Sequence, residues 1–190
     1  MKITSGKYKY RNIEVPRGIR PTTEKVREAI FSMIMQWLPD AEVLDLFAGS
    51  GAMGLEALSR GAARCTFVET NRFNQKVLTS NIAHCGAGTE ASVLGRDFEA
   101  ALVEISGRKD KPVFDIVIID PPYEKTDYYV TAMMKLQELG LIDEGSVVVC
   151  EHLYDNQLSD TYGNLQKFKE KKYGTIGVDL FSVDNREPFC

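Results

Sequence analysis

The sequence is poor in the residues that build metal centres and disulfide frameworks. It holds two histidines and four cysteines in 190 residues, and Cys65, Cys85, Cys150 and Cys190 lie far apart without a close pair. That spacing argues against a disulfide framework or a zinc motif, and the default compartment is the reducing cytoplasm. His84 and His152 have no partner pattern, so no metal is expected and neither histidine is assigned a catalytic role. No apolar run approaches the length of about 18 residues needed to cross a bilayer, and no basic-then-apolar leader opens the chain. Neither a membrane span nor a secretion signal is therefore expected. Internal repeats and low-complexity tracts are also missing. A chain of this length hides roughly 70% of its unfolded surface on folding, so it can build a core without covalent staples.

Charge is present but unevenly spread. The formal net charge is −4, yet residues 1–27 hold eight basic side chains against Glu14 and Glu24, a balance of +6 that leaves −10 for the rest. Such asymmetry suits a basic arm on an acidic body, and equally a solvated charged terminus. Tyr8 and Tyr10 interleave with Lys7, Lys9 and Arg11. That mixture suits base stacking plus phosphate attraction, and also packing of the segment against the body.

Residues 2–15 alternate loosely between apolar and polar, which predicts a small hairpin before the break at Pro16-Arg17-Gly18. We read residues 1–19 as a basic extension and 20–190 as the main domain. Pro21-Thr22-Thr23-Glu24 offers a helix start with a capping threonine, and Val26, Ile30, Met33 and Trp37 follow at helical spacing up to Pro39. From residue 42 short apolar runs at 43–47, 65–69, 91–94, 115–119 and 146–150 alternate with helical stretches near 52–60, 72–85, 97–106 and 127–139. This rhythm predicts an α/β fold whose mostly parallel sheet is covered on both faces. Segments 165–171 and 175–183, joined at Tyr173-Gly174, predict a closing antiparallel pair.

The turn Asp45-Leu46-Phe47-Ala48-Gly49-Ser50-Gly51-Ala52-Met53-Gly54 joins the first core strand to its helix. Its Gly-x-Gly-x-x-Gly spacing, with Glu69 about 20 residues on, fits a nucleoside-containing ligand at the first strand–helix crevice. Asp45 narrows the choice. A carboxylate there would repel a diphosphate, whereas S-adenosylmethionine carries no phosphate and has a positive sulfonium and ammonium. Asp45 also suits a bracing role in the turn. Glu69 is placed to accept hydrogen bonds from ribose hydroxyls. Asp97 and Phe98, after the third strand, are placed to bracket an adenine, though Asp97 fits a helix N-cap as well.

The fourth strand ends in Asp120-Pro121-Pro122-Tyr123. Ligands of open α/β sheets bind outside the carboxyl ends of the strands, so these residues border the same crevice. The Asp120 carboxylate and the Pro121 carbonyl are two acceptors for the hydrogens of an aromatic amine. The ring of Pro122 stiffens the turn, and Tyr123 offers a stacking face.

With these residues in view, the sequence resembles the RsmD-type family of bacterial methyltransferases acting on guanine N2 of small-subunit (16S) ribosomal RNA. The resemblance rests on Ser5-Gly6-Lys7, Arg20-Pro21-Thr22, Val26-Arg27-Glu28-Ala29, the block from Asp45 to Ala62, Val68-Glu69 and Asp120-Pro121-Pro122-Tyr123. Tyr10 stands where the family pattern has glycine, Ser32 where asparagine is frequent and Phe181 where tyrosine is found. The resemblance implies a Rossmann-like class I S-adenosylmethionine-dependent methyltransferase with a seven-stranded sheet. It implies a cofactor site at Asp45, Phe47, Gly49, Gly51, Glu69, Asp97 and Phe98, and a catalytic corner at Asp120–Tyr123. It also gives the arm an RNA-binding role, through Lys7, Lys9, Arg11, Arg17, Arg20 and Arg27, and a monomer is expected. Three other functions suit parts of the pattern. They are an adenine-N6 methyltransferase on DNA or RNA, a nicotinamide-dependent oxidoreductase and a non-catalytic ribosome-assembly module.

Overall fold

The computed structural model describes residues 1–18 and 22–183. Helix α1 (Glu24–Met33) is followed by a short 3-10 turn (Met35–Trp37), and then strands and helices alternate: β1 (Glu42–Asp45), α2 (Ala52–Ser59), β2 (Arg64–Val68), α3 (Arg72–Cys85), β3 (Ala91–Leu94), α4 (Phe98–Ser106), β4 (Ile116–Ile119) and α5 (Asp127–Glu138). The chain closes with β5 (Val147–Leu153), β6 (Thr161–Tyr162), β7 (Leu165–Tyr173) and β8 (Ile176–Ser182). One sheet holds every strand in the order β3-β2-β1-β4-β5-β8-β7-β6. The first five in that order run parallel; β8, β7 and β6 pair antiparallel.

Alternation of side chains along each strand divides the core in two. Val43, Ile116, Ile118, Val147 and Val149 pack with residues of α1, α2 and α3. Leu44, Val117, Ile119, Val148 and Cys150 pack with α4 and α5. Strands buried on both faces must be apolar throughout, and that is why Ile116-Val117-Ile118-Ile119 carries no polar residue. Among the described residues no helix is long and apolar enough to cross a membrane.

Two expectations need adjusting. The sheet has eight strands rather than seven, because Thr161 and Tyr162 pair with Gln166 and Leu165 at the start of β7. The first helix stops at Met33 rather than Pro39, and Trp37 sits on the 3-10 turn, its ring tilted against that of Phe168.

The amino-terminal segment folds back on itself around one antiparallel bridge, Lys2 with Asn12, and not as regular strands. Beside it the Ile3 N–H donates to the Arg11 carbonyl at 3.0 Å and the Tyr10 N–H to the Ile3 carbonyl at 2.9 Å. Ile3, Tyr8 and Ile13 are buried within the core that also contains α1 and α2. The Lys7 N–H donates to the Ser59 carbonyl, and the Tyr8 N–H to Ser59 Oγ. Ser59 ends α2, which begins at the carboxyl rim of the sheet and runs back toward its amino edge, about 12 Å away by helix rise. The tip of the arm therefore lies at the end of the sheet remote from the carboxyl rim.

Candidate functional site

The sheet order reverses between β1 and β4, and ligand crevices of open α/β sheets form at such a point. A cleft of about 790 Å³ opens there. Its walls bring together Asp45, Phe47 and Gly49 from the turn after β1, Glu69 after β2, Asp97 and Phe98 after β3, and Asp120 to Tyr123 after β4. Gly18 and Thr22 reach it from the amino-terminal side.

Gly51 is the exception among the expected cofactor residues. It does not line the cleft but caps α2 from beneath with φ at 80°, and a Cβ there would stand 2.4 Å from the Leu78 side chain. Gly54 is likewise a packing residue, since its Cβ would lie 2.2 Å from the Phe67 ring. These glycines let α2 sit tightly against β2 and α3. The turn is further braced by Asn81, which no local motif singles out. Its side-chain N–H donates to the Ser50 carbonyl and to the Glu14 carbonyl, each at 2.8 Å, while its oxygen accepts from the Glu14 N–H.

The carboxylates of the cleft are in unlike surroundings. Asp45 is buried and accepts one hydrogen bond from the Gly54 N–H at 3.0 Å. Loss of solvation pushes its pKa up to about 7, opposed by that bond and reinforced by the nearby Glu69. Glu69 accepts from the Gly49 N–H at 2.9 Å with one oxygen and from the Asn71 N–H at 2.7 Å with the other. Each oxygen keeps a lone pair for a further donor in the cleft. Asp97 caps α4 through the Ala100 N–H at 2.9 Å and also lines the cleft. Phe98 packs at 4.8 Å from Tyr128 and 5.3 Å from Phe47, and Tyr128 stacks on Phe47 at 5.9 Å. These three rings form one apolar wall.

Asp120 differs from all of these. Among the described residues no hydrogen-bond donor meets its carboxylate, which is partly exposed into the cleft. Its pKa is held well above the usual carboxylate range by lost solvation first, then by the Glu151 and Asp45 charges. Glu151 is buried at the end of β5, accepts from Thr22 Oγ1 at 2.7 Å, and offers its backbone carbonyl to the Tyr129 hydroxyl at 2.6 Å. It is the buried acid beside Asp120 that sequence reading missed, because it continues the apolar run at 146–150. The Pro122 carbonyl accepts from the Lys125 N–H at 2.8 Å and closes the turn that carries Tyr123.

The basic residues assigned to RNA separate sharply. Arg27 is a correction: it is fully buried, with Nε 3.1 Å from Glu56, and cannot reach a macromolecule. Glu56, buried on α2, draws Arg27 inward. Lys7 is paired with Glu90, and Arg11 donates to the His84 carbonyl, so both are tied to the body. Lys9 stands over the Tyr10 ring at 4.8 Å, and Lys9 and Arg17 are exposed. Arg20 lies outside the described residues. Tyr10 is 71% exposed and adopts φ of 72°, the left-handed conformation for which glycine is suited.

Comparison with known proteins follows the same outline. The model of the family described as Conserved hypothetical protein 95 matches residues 1–182. The Bacillus subtilis protein YlbH is 34% identical over 95% of this chain and 98% of its own length. Ribosomal RNA small subunit methyltransferase D of Escherichia coli is 33% identical over 95% of this chain and 89% of its own. The solved structure of yhhF from Escherichia coli superposes with a TM-score of 0.83 at 33% identity, covering 96% of this chain and 97% of that one. The shared architecture is the class I methyltransferase fold.

Proposed function

The chain belongs to the RsmD-type family described as Conserved hypothetical protein 95, and on that premise we propose that it transfers a methyl group from S-adenosylmethionine to the exocyclic N2 amine of a guanine in small-subunit ribosomal RNA. The observation that carries the chemistry is the Asp120 carboxylate, which faces the cleft with no donor from the described protein residues. A carboxylate stripped of part of its water is costly unless something pairs with it, so this one is suited to a donor that arrives with a ligand.

The cleft suits the cofactor. Asp45 and Asp120 both have raised pKa values, so a positively charged ligand there restores their charged forms. Bound S-adenosylmethionine supplies a methyl already activated on a positive sulfur. Glu69 and Asp97 hold its hydroxyl and amino groups, and the wall of Phe47 and Phe98 packs on its base. On the substrate side, Asp120 and the Pro121 carbonyl accept the two amine hydrogens and turn the nitrogen lone pair out of conjugation. Pro121 and Pro122 keep these acceptors fixed before the base arrives, and Tyr123 stacks on the base. As the nitrogen gains its methyl it loses a proton, and Asp120, a stronger base than an ordinary carboxylate, takes it. The working unit is a single chain in the cytoplasm, with the exposed Arg17, next to Gly18 of the cleft wall, attracting phosphates.

The test is nucleoside mass spectrometry on small-subunit RNA from a deletion strain, with restoration by the wild-type gene and not by Asp120→Ala. Loss of N2-methylguanosine supports the proposal. Loss of N6-methyladenine instead would reassign the substrate base while keeping the same four catalytic residues. An intact modification profile in the deletion strain would remove RNA methylation altogether.

A further inference from the structure

The arm tip, at the amino edge of the sheet, is poorly placed to deliver a nucleotide to the opposite rim. Something nearer the cleft has to hold the RNA. Strand β7 carries Lys167, Lys169, Lys171 and Lys172 against a single acid, Glu170, within a body that is otherwise acidic. Lys167 turns inward to Asp179 at 3.0 Å. Lys171 and Lys172 are exposed, and among the described residues neither forms an ion pair. Register places them: Lys172 pairs with Gly177, which pairs with His152, and Lys171 aligns through Val178 with Glu151. The end of β7 therefore stands beside the carboxyl end of β5, on the catalytic rim.

Aromatic side chains interleave with these cations. Lys172 Nζ lies 3.9 Å from the centre of the Tyr154 ring, and Tyr173 follows directly. The Tyr154 N–H donates to the Thr175 carbonyl at 2.8 Å and ties the loop after β5 to the β7–β8 turn. Three strand spacings, roughly 14 Å, separate β7 from β4 and its Asp-Pro-Pro-Tyr corner. A few nucleotides span that distance. Lysines on an edge strand also deter edge-to-edge aggregation, but that purpose is served anywhere along the strand and needs no aromatic partner.

We propose that Lys172 with Tyr154, and Lys171 on the opposite face of the same strand end, straddle the carboxyl rim as an RNA-docking strip, gripping the phosphodiester backbone a few nucleotides from the base that enters the cleft. The proposal rests on the reading of the cleft as an RNA methyltransferase site. Its partner is the ribosomal RNA strand itself, recognised through charge and stacking and without base sequence.

The experiment compares wild type, the double variant Lys171→Gln/Lys172→Gln, the charge-keeping double variant Lys171→Arg/Lys172→Arg, and Lys9→Gln at the arm tip. Each is assayed for methyl transfer to small ribosomal subunits from the deletion strain and for binding to labelled small-subunit RNA across a salt series. The glutamine pair should raise KM about five- to tenfold and leave kcat at saturating substrate unchanged. It should also reduce the slope of log affinity on log salt by about 1.5, at ~0.7–0.9 for each lost phosphate contact. The arginine pair should restore both. Unchanged KM and slope in the glutamine pair, with an active wild type, would overturn the strip alone. A wild type that neither binds RNA nor methylates subunits would overturn the parent reading and the strip together.

Discussion

Two carboxylates of this protein, Glu56 and Asp120, are both withdrawn from bulk water and could hardly be treated more differently. Glu56 is fully buried on α2 and receives five donors: the Thr4 N–H and hydroxyl, the Ser5 N–H, Arg27 Nε and Arg60 Nε. Asp120, at the end of β4, receives none from the described residues and faces two other acids. The first charge is spent on the architecture, since it fastens the amino-terminal segment and α1 to α2. The second is left open for a ligand. Burial alone therefore does not single out a carboxylate that awaits a ligand; the lack of a donor among the described residues around it is what sets Asp120 apart.

The comparison can be broken at either end. Asp120→Ala should lower turnover by ~10²–10⁴-fold while leaving cofactor affinity within about twofold, measured by single-turnover methyl transfer and calorimetry. A variant that keeps its turnover would show that the open carboxylate is idle. Arg27→Ala should cost about 3–5 kcal/mol in urea unfolding, because it strands part of a buried ion pair, with little change in kcat of the folded fraction. A loss near zero would mean that the remaining donors suffice for Glu56.

Glu151→Gln sharpens the comparison. Removing a like charge beside Asp120 should lower the Asp120 pKa and move the acid limb of the kcat profile to lower pH, with Thr22 still able to donate to the side chain. An unmoved limb would detach Glu151 from catalysis.

The smallest effect concerns Asp45. Its folded pKa, about 7, lies above its unfolded value, so the folded form binds the extra proton between the two. That contribution to the stability of the cofactor-free protein is full below the unfolded pKa and is lost as pH rises through about 7. Melting temperatures across that window should decline, and Asp45→Asn should flatten the decline. A profile identical in the two proteins would contradict the assignment.

Much of this organisation was readable because it is local. The alternation of apolar runs with helical stretches announces the parallel sheet, and the turns at 45–54, 69, 97 and 120–123 meet in one cleft because parallel strands all end on one side. What escaped reading is long-range. Arg27 looks like a surface residue beside Glu24 and Glu28, yet its partner is 29 residues onward. Glu151 hides at the end of an apolar strand. Strand β6 is two residues long and exists only because β7 offers it an edge. The lysines of β7 carry no local sign of where they lie, and only the register of β8 carries them to the rim. Even the location of the arm follows from which end of α2 it touches, a fact with no local signature.

Asn81 has one last consequence. A single amide on α3 grips the backbone of Glu14 on one side and the carbonyl of Ser50 on the other, so the leading segment and the glycine turn share a clasp. Deuterium uptake at the Glu14 amide is thus a remote gauge of how firmly the turn is set. An isotope probe far from any reacting atom can report when the floor of the cleft loosens.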